Sequence, residues 1–169
     1  RNDGTARDTI LVSFTTALTG WSAATAAPSV VLDPDASVNV SLTVTCPALA
    51  LAGDTAELEL RATSGGNASY TDMARGRATA NQLFGIGIST AQPRLDVYPW
   101  ETAQFNINVS NTGNGLDTVS LFDEGTEPGW NITLSSESMR LTARTDGDIS
   151  VGIRSPPDAL AGNTSKTKL

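Results

Sequence analysis

The stretch Asn111-Thr-Gly-Asn-Gly-Leu-Asp-Thr118 repeats a related stretch near the start of the chain, Asn2-Asp-Gly-Thr-Ala-Arg-Asp-Thr9. The offset that separates Asn2 from Asn111 also places Gly20-Trp21 on Gly129-Trp130 and the loop sequence Ala50-Leu-Ala-Gly53 on Ala159-Leu-Ala-Gly162. An ungapped alignment of residues 2–55 with 111–164 contains 15 identical positions. A single register kept through a Gly-Trp pair and a four-residue block indicates that one structural unit occurs twice.

Alternating apolar and polar residues predict that each unit is built from β-strands with one buried face. Four segments carry this alternation, and their apolar sets are Val38, Val40, Leu42 and Val44; Ala56, Leu58, Leu60 and Ala62; Ala103, Phe105, Ile107 and Val109; and Ile149, Val151 and Ile153. Turn sequences rich in Gly, Asn, Asp and Pro separate these segments, and no long amphipathic helix is evident. The sequence therefore predicts an all-β fold of tandem immunoglobulin-like antiparallel sandwiches.

Neither unit has a full set of predicted strands. The first sandwich, expected over residues 1–80, has nothing before it to match the strand-forming stretch 84–110, so it lacks opening strands. The second, expected over 83–169, lacks a counterpart of residues 55–79 and so its closing strands. We interpret the chain as a segment of a longer, processed protein. Either residues outside the segment or a strand from a neighbouring chain would cover the exposed edges.

Several motifs resemble a known family. They are the segment 111–119, Pro128-Gly-Trp130 and Pro156-Pro-Asp-Ala-Leu-Ala-Gly162, together with Pro99-Trp-Glu-Thr-Ala-Gln-Phe105, in which Trp100 replaces a family glycine. These motifs are similar to the alpha-galactosidase-associated and cell-adhesion-related (CARDB-like) immunoglobulin-like modules of prokaryotic, especially archaeal, surface proteins. The resemblance implies spacers, adhesins, surface-layer or filament components, or accessory domains of secreted glycosidases. It implies no catalytic residues.

Composition excludes several functional classes. The chain has 169 residues with 11 Lys and Arg against 18 Asp and Glu, a net charge of −7 that argues against a nucleic-acid surface. No apolar run is long enough to span a membrane. The absence of His removes the commonest general base, and a single cysteine excludes an intrachain disulfide. We therefore expect a protein that is not an enzyme.

The three tryptophans have different predicted roles. Trp21 and Trp130 repeat at one register, as do Leu32 and Leu141, which predicts four framework residues of the core, although a repeated tryptophan can also serve as a platform for sugar stacking. Trp100 has no counterpart in the repeat and lies beside Tyr98, so these two are candidate contact aromatics. Cys46, aligned with Ser155, is expected to be a small filler residue.

Five Asn-x-Ser/Thr sequons form the most specific chemical signal, and Asn39 and Asn108 are expected on outward faces of their strands. The candidate glycosylation sites are Asn39, Asn67, Asn108, Asn131 and Asn163. No cofactor is expected. The acidic loops at 33–35, 123–124 and 146–148 leave calcium at a domain junction as an alternative to solvated turns.

These observations predict a non-catalytic structural or adhesive module at the cell surface or outside the cell, acting as a spacer, surface-layer or filament component. Its expected partners are neighbouring modules, copies of itself and glycans, without nucleic acid or a membrane span. The alternative is a carbohydrate-binding accessory module of a secreted glycoside hydrolase. A filament joined by strand donation is a third hypothesis.

Overall fold

The computed structural model describes residues 1–17, 19–125 and 127–166. The chain divides into two compact units, unit 1 over Arg1–Asn81 and unit 2 over Gln82–Leu169. All regular structure in the described residues is β-strand, and every strand pair is antiparallel. The predicted all-β fold class is confirmed.

The described residues of unit 1 form six strands in two sheets. Its strands are β1 (Asp8–Thr16), β2 (Ser22–Thr25), β3 (Ser29–Leu32), β4 (Leu42–Thr45), β5 (Thr55–Ser64) and β6 (Thr71–Thr79). One sheet has the order β3-β1-β5-β6, and in the described residues the other contains only β2 and β4. Inward residues of both sheets meet in one core around Trp21, Ala56 and Ala80, with Val44 and Ala78 packed against it.

Unit 2 also has six strands in its described part. They are β7 (Ile86–Thr90), β8 (Thr102–Asn111), β9 (Asp117–Ser120), β10 (Asn131–Leu134), β11 (Ser138–Leu141) and β12 (Asp146–Arg154). The four-stranded sheet has the order β10-β12-β8-β7, and β11 pairs with β9 in a second sheet. Val109 and Val151 from the first sheet and Val119 and Leu141 from the second share one buried cluster, so the two sheets pack face to face.

Strand pairing repeats at the offset found in the sequence. In unit 1, β1 pairs with β3 so that Asp8 faces Leu32, and in unit 2 β9 pairs with β11 so that Asp117 faces Leu141. The β2–β4 ladder is likewise reproduced by β10 and the end of β12, residue for residue. Because each pair keeps its register under this one shift in residue number, the two units share one strand framework.

Backbone conformation repeats as well. Gly20 and Gly129 have φ of 87° and 84°, values that L-residues with a side chain rarely adopt. A Cβ on Gly129 would also lie 3.3 Å from Pro156 Cβ, so this glycine is favoured both by its φ and by a close neighbour. The Gly-Trp pair thus recurs in both units because of the turn that delivers the tryptophan to the core.

The two units differ in which sheet has four strands. In the described residues of unit 1, the sheet that contains β1 has the order β3-β1-β5-β6, and the sheet that contains β4 has two strands. In the described residues of unit 2, the sheet that contains β9, the counterpart of β1, has two strands, and the sheet that contains β12, the counterpart of β4, has the order β10-β12-β8-β7.

Strand β4 is shorter than the sequence predicts. This expectation is wrong because no described strand of unit 1 lies beside residues 37–41. The alternation over 37–45 predicts a strand throughout, yet only Leu42–Thr45 forms one, and Val38 is 51% exposed. The equivalent residues in unit 2 all belong to β12 because β8 pairs with them from Asp146 to Arg154. No described strand of unit 1 occupies the place of β8, so residues 37–41 have no ladder to join.

Candidate functional site

Two exposed aromatic residues, Tyr98 and Trp100, lie in one turn of unit 2 over Tyr98–Glu101, here called the aromatic turn. The Glu101 N–H donates to Tyr98 O at 3.1 Å, and Pro99 precedes Trp100, whose φ is 69°. Proline followed by a residue of positive φ is the signature of a type II turn, in which glycine is the usual third residue. Trp100 therefore occupies a position suited to glycine, where a side chain strains the backbone.

Trp100 is held against the end of β12. Its ring lies over the Arg154 guanidinium, with 3.6 Å between Arg154 Cζ and the ring centroid. Trp100 nevertheless remains 57% exposed, and Tyr98 is 77% exposed. A strained backbone that presents two aromatic side chains to solvent is a feature found at contact sites.

The aromatic turn borders a groove of about 640 Å³ in unit 2, here called the open groove. Its apolar floor is formed by Phe105, Trp130 and Ile153, and its walls come from residues 93–99 and 159–166. Phe105 and Trp130 are only partly buried, although both pack against the core. The groove therefore exposes core-facing side chains to solvent.

Unit 1 has protein in the equivalent place. Trp21, which corresponds to Trp130, is 8% exposed and packs in one cluster with Ala56 of β5 and Ala80, which follows β6. The Trp21 indole N–H has no hydrogen-bond partner among the described residues, so Trp21 contributes to the core through apolar packing alone. The open groove thus corresponds to the volume that β5 and the end of β6 fill in unit 1.

A second difference between the units concerns a repeated aspartate. Asp8 receives hydrogen bonds from Ser64 Oγ, from Gly66 N at 3.1 Å and from Thr9 N at 2.7 Å. The Ser64 hydroxyl, assisted by these backbone N–H groups, holds the pKa of Asp8 below its ordinary range, against a smaller opposing effect of burial. Its counterpart Asp117 accepts, among described residues, only from Thr118 N at 2.8 Å.

The four predicted framework residues lie in or against the cores. Trp21, Leu32 and Leu141 are buried, and Trp130 is partly buried at the floor of the open groove. Trp21 offers no ring face to a ligand. The sugar-stacking alternative for the repeated tryptophans is thereby limited to Trp130.

The five sequons are dispersed over the surface. Asn39, Asn67, Asn131 and Asn163 are exposed, whereas Asn108 on β8 is half-buried. Asn108 Nδ2, the atom that a glycan would modify, donates to Asp146 Oδ2 at 2.8 Å and to Asp148 Oδ1 at 3.0 Å. Asn108 lies on the outward face of β8, between the buried residues Ile107 and Val109, but two carboxylates bind its amide there.

The acidic loops contribute to no cluster of metal ligands in the described part of the chain. No group of three or more His, Cys, Asp or Glu side chains able to hold a metal ion occurs within residues 1–17, 19–125 and 127–166. The carboxylates of Asp33 and Asp35 instead pair with Arg7 and Arg1. In the described part of the chain there is also no helix that is long and apolar enough to cross a membrane.

Cys46 is exposed, so the filler role expected from its alignment with Ser155 is wrong. Ser155 is 2% exposed because the aromatic turn covers it, with Ser155 Oγ donating to Tyr98 O at 2.9 Å and Ser155 N to Glu101 O at 3.0 Å. The described residues of unit 1 include no strand in the position of β8 and hence no such cover.

Sequence reasoning missed a pair of buried asparagines. Asn2 and Asn111, at equivalent positions, are 5% and 1% exposed. Each donates from Nδ2 to the carbonyl of the repeated leucine, Leu32 or Leu141, and each accepts from a glycine N–H two residues later. The two asparagines are identical in the repeat, but an asparagine two residues before a glycine indicates an exposed turn more often than a buried, hydrogen-bonded side chain.

No known protein family, curated protein or solved structure matches this chain.

Proposed function

We propose that this chain is a non-catalytic structural or adhesive module of an exported prokaryotic cell-surface protein, in which it acts as a spacer or assembly unit. The observation that carries the proposal is the strand register that recurs in both units at a constant offset. Tandem copies of one structural unit suit an extended surface protein, because each copy adds length and contacts only its neighbours.

The surface chemistry supports this role. The net charge of −7 keeps such modules soluble and mutually repelling at a crowded surface. Polar residues line the outer faces of the strands, as in β8, where Gln104 and Asn106 are exposed between buried Ala103 and Ile107. Four exposed sequons offer places for glycans. The motifs that resemble CARDB-like modules point to the same class of protein.

Surface labelling tests the proposal. Antibodies raised against this chain should bind intact cells of the source organism, and mild protease treatment of those cells should release fragments that contain it. An antibody against a cytoplasmic protein of the same cells provides the control for integrity. Labelling that requires permeabilised cells would refute the surface role.

The alternative, a carbohydrate-binding accessory module, is favoured by one specific observation, the exposed and strained Trp100 beside Tyr98. Sugar rings stack on exposed aromatic faces with their apolar C–H groups. On a glycan array, this alternative predicts binding that Tyr98→Ala abolishes. Tyr70→Ala, which removes a tyrosine of similar exposure from unit 1, is the matched control and should leave binding unchanged. An array without binding would refute the alternative.

A further inference from the structure

We propose that a glycan attached to Asn131 folds back across β12 and packs its first sugar rings on the exposed face of the Trp100 indole. The ligand is a pyranose chain linked to the amide nitrogen of the sequon Asn131-Ile-Thr133. The inference rests on the structural role proposed above, because N-glycans belong to exported chains. It deepens that role by naming the sequon whose glycan the fold itself holds.

Asn131 offers an accessible amide. It alternates along β10 with Ile132, which packs against the core, so the Asn131 side chain points outward, where it is exposed. Among the described residues this side chain makes no hydrogen bond. The amide of Asn108, by contrast, binds two carboxylates. A sugar on Asn131 therefore displaces no contact of the folded chain.

Strand register places Asn131 beside the aromatic turn. Arg154 of β12 lies directly opposite Asn131, and Thr102 of β8 lies opposite Arg154 on its other side. Directly opposite residues project from the same face of a sheet, and neighbouring strands are about 5 Å apart, so these three residues form one outward row about 10 Å wide. Trp100 lies two residues before Thr102, and its ring is 3.6 Å from Arg154 Cζ. The first sugars of a chain on Asn131 therefore reach the indole.

The Trp100 ring is fixed in place, and one of its faces is open. Arg154 contacts the other face and is itself half-buried, whereas Trp100 remains largely exposed. Arg154 Nε also donates to Trp100 O at 3.4 Å, so the arginine contacts both the ring and the backbone of the tryptophan. Sugar rings stack on aromatic faces through their apolar C–H groups, and a ring that is already fixed loses little freedom on contact.

Unit 1 lacks both the sequon and the arginine at the equivalent positions. Ser22 takes the place of Asn131 there, so no glycan is specified. Thr45, which pairs with Ser22, takes the place of Arg154 and provides no guanidinium. The sequon and the arginine that holds the tryptophan ring therefore occur together in unit 2 and are both replaced in unit 1.

The test uses the full chain secreted from a eukaryotic host, with the other four sequons removed. The substitutions are Ser41→Ala, Ser69→Ala, Ser110→Ala and Ser165→Ala, which keep every asparagine and leave Asn131 as the one sequon. Mass spectrometry should find a glycan on Asn131. The same chain made in a host without N-glycosylation is the unmodified reference.

Hydrogen exchange and NMR report the contact. The glycan should slow amide exchange in peptides from 146–154 by about threefold to tenfold relative to the reference, the scale of one stacking contact on an aromatic ring. Exchange over 55–64 in unit 1 should not change. NMR should show upfield shifts of the core N-acetylglucosamine protons and nuclear Overhauser effects from them to the Trp100 ring, because protons above an aromatic ring are shielded by its ring current.

Variants separate stacking from a general effect of a glycan. The φ of Trp100, 69°, suits glycine, so Trp100→Gly should keep the fold, as circular dichroism checks, and lose the slowing that glycosylation produces. Trp100→Phe retains an aromatic ring and should keep part of the slowing. The matched control keeps Ser41 and carries Thr133→Ala, which moves the one sequon to Asn39 in unit 1. Its glycan should leave exchange over 146–154 unchanged.

Three results would overturn the proposal. They are a chain without a glycan on Asn131, equal exchange over 146–154 with and without that glycan, and a slowing that persists in Trp100→Gly. Failure here is distinct from failure of the structural role, because surface labelling of intact cells does not depend on the Asn131 glycan.

Discussion

Replacing Asn111 with alanine should lower the free energy of unfolding of unit 2 by about 2–4 kcal/mol and leave unit 1 unchanged. Asn111 is 1% exposed, and its Nδ2 donates to Gly115 O at 2.8 Å and to Leu141 O at 3.1 Å. Its Oδ1 accepts from Gly113 N at 2.9 Å. The bonds to Leu141 and Gly113 are buried, so alanine leaves one carbonyl and one N–H without a partner.

The magnitude follows from those two groups. A buried polar group that loses its partner costs about 1–3 kcal/mol, while water can replace the less buried bond to Gly115. For a unit of this size, roughly 1 kcal/mol changes the melting temperature by about 4–8 °C, so the melting temperature of unit 2 should fall by roughly 8–32 °C. The equivalent change Asn2→Ala should have the same sign and a smaller size in unit 1, because Asn2 Nδ2 makes one bond fewer.

Urea unfolding combined with hydrogen exchange assigns the loss to a unit, since peptides from 102–111 and 146–154 report on unit 2 alone. Asn106→Ala, at an exposed position of the same strand, is the control and should change stability by less than about 0.5 kcal/mol. Asn111→Asp keeps the shape of the side chain but cannot donate, so it should also destabilise. If Asn111→Ala costs no more than this control, or if Asn111→Asp is without effect, the role assigned to these hydrogen bonds is refuted.

Three further predictions concern pH, the aromatic turn and glycosylation. The hydrogen bond from Ser64, above all, lowers the pKa of Asp8 in the folded state. The ionised Asp8 carboxylate therefore stabilises unit 1 above the unfolded pKa of about 3.9, and this stabilisation is lost as the pH falls through the lower folded pKa. Urea unfolding of unit 1 from pH 5 to pH 2 should show this loss, and Asp8→Asn should remove it; an identical pH profile in the variant would count against the assignment. Trp100→Gly should change stability by less than about 1 kcal/mol, because relief of about 1–2 kcal/mol of backbone strain offsets a cation–π contact and added freedom of the unfolded chain. If thermal melts show that Trp100→Gly lowers the free energy of unfolding by more than about 2 kcal/mol, which is the upper value of that backbone strain, this prediction is contradicted. When the folded chain is glycosylated, mass spectrometry should find Asn39 modified and Asn108 unmodified, and equal occupancy would disprove the protection of Asn108 by its two carboxylates.

Sequence reasoning reached the strand framework because the apolar alternation and the repeat are local and periodic. Ile149, Val151 and Ile153 are all buried as their alternation predicts. The offset read from identities such as Trp21 and Trp130 is also the offset of the strand pairs.

The features that the sequence did not predict depend on contacts between segments that are distant in the chain or on the folded turn itself. Val38 alternates as well as Val151 does, yet it is exposed because no strand in the described part of unit 1 stands in the place of β8. The pairing of Ser64 with Asp8 joins residues far apart in the chain, so no spacing rule reveals it. The positive φ of Trp100 contradicts the preference of its residue type and becomes visible only in the folded turn.

The exposure of Cys46 has a practical consequence. As the chain's sole thiol, it offers a unique point for attaching a maleimide dye or a spin label without any engineered substitution. A label there lies next to the end of β4, on the side of unit 1 where a partner comparable to the aromatic turn would seat. The rate of alkylation at this one sulfur would therefore measure directly whether that side is covered in the intact protein.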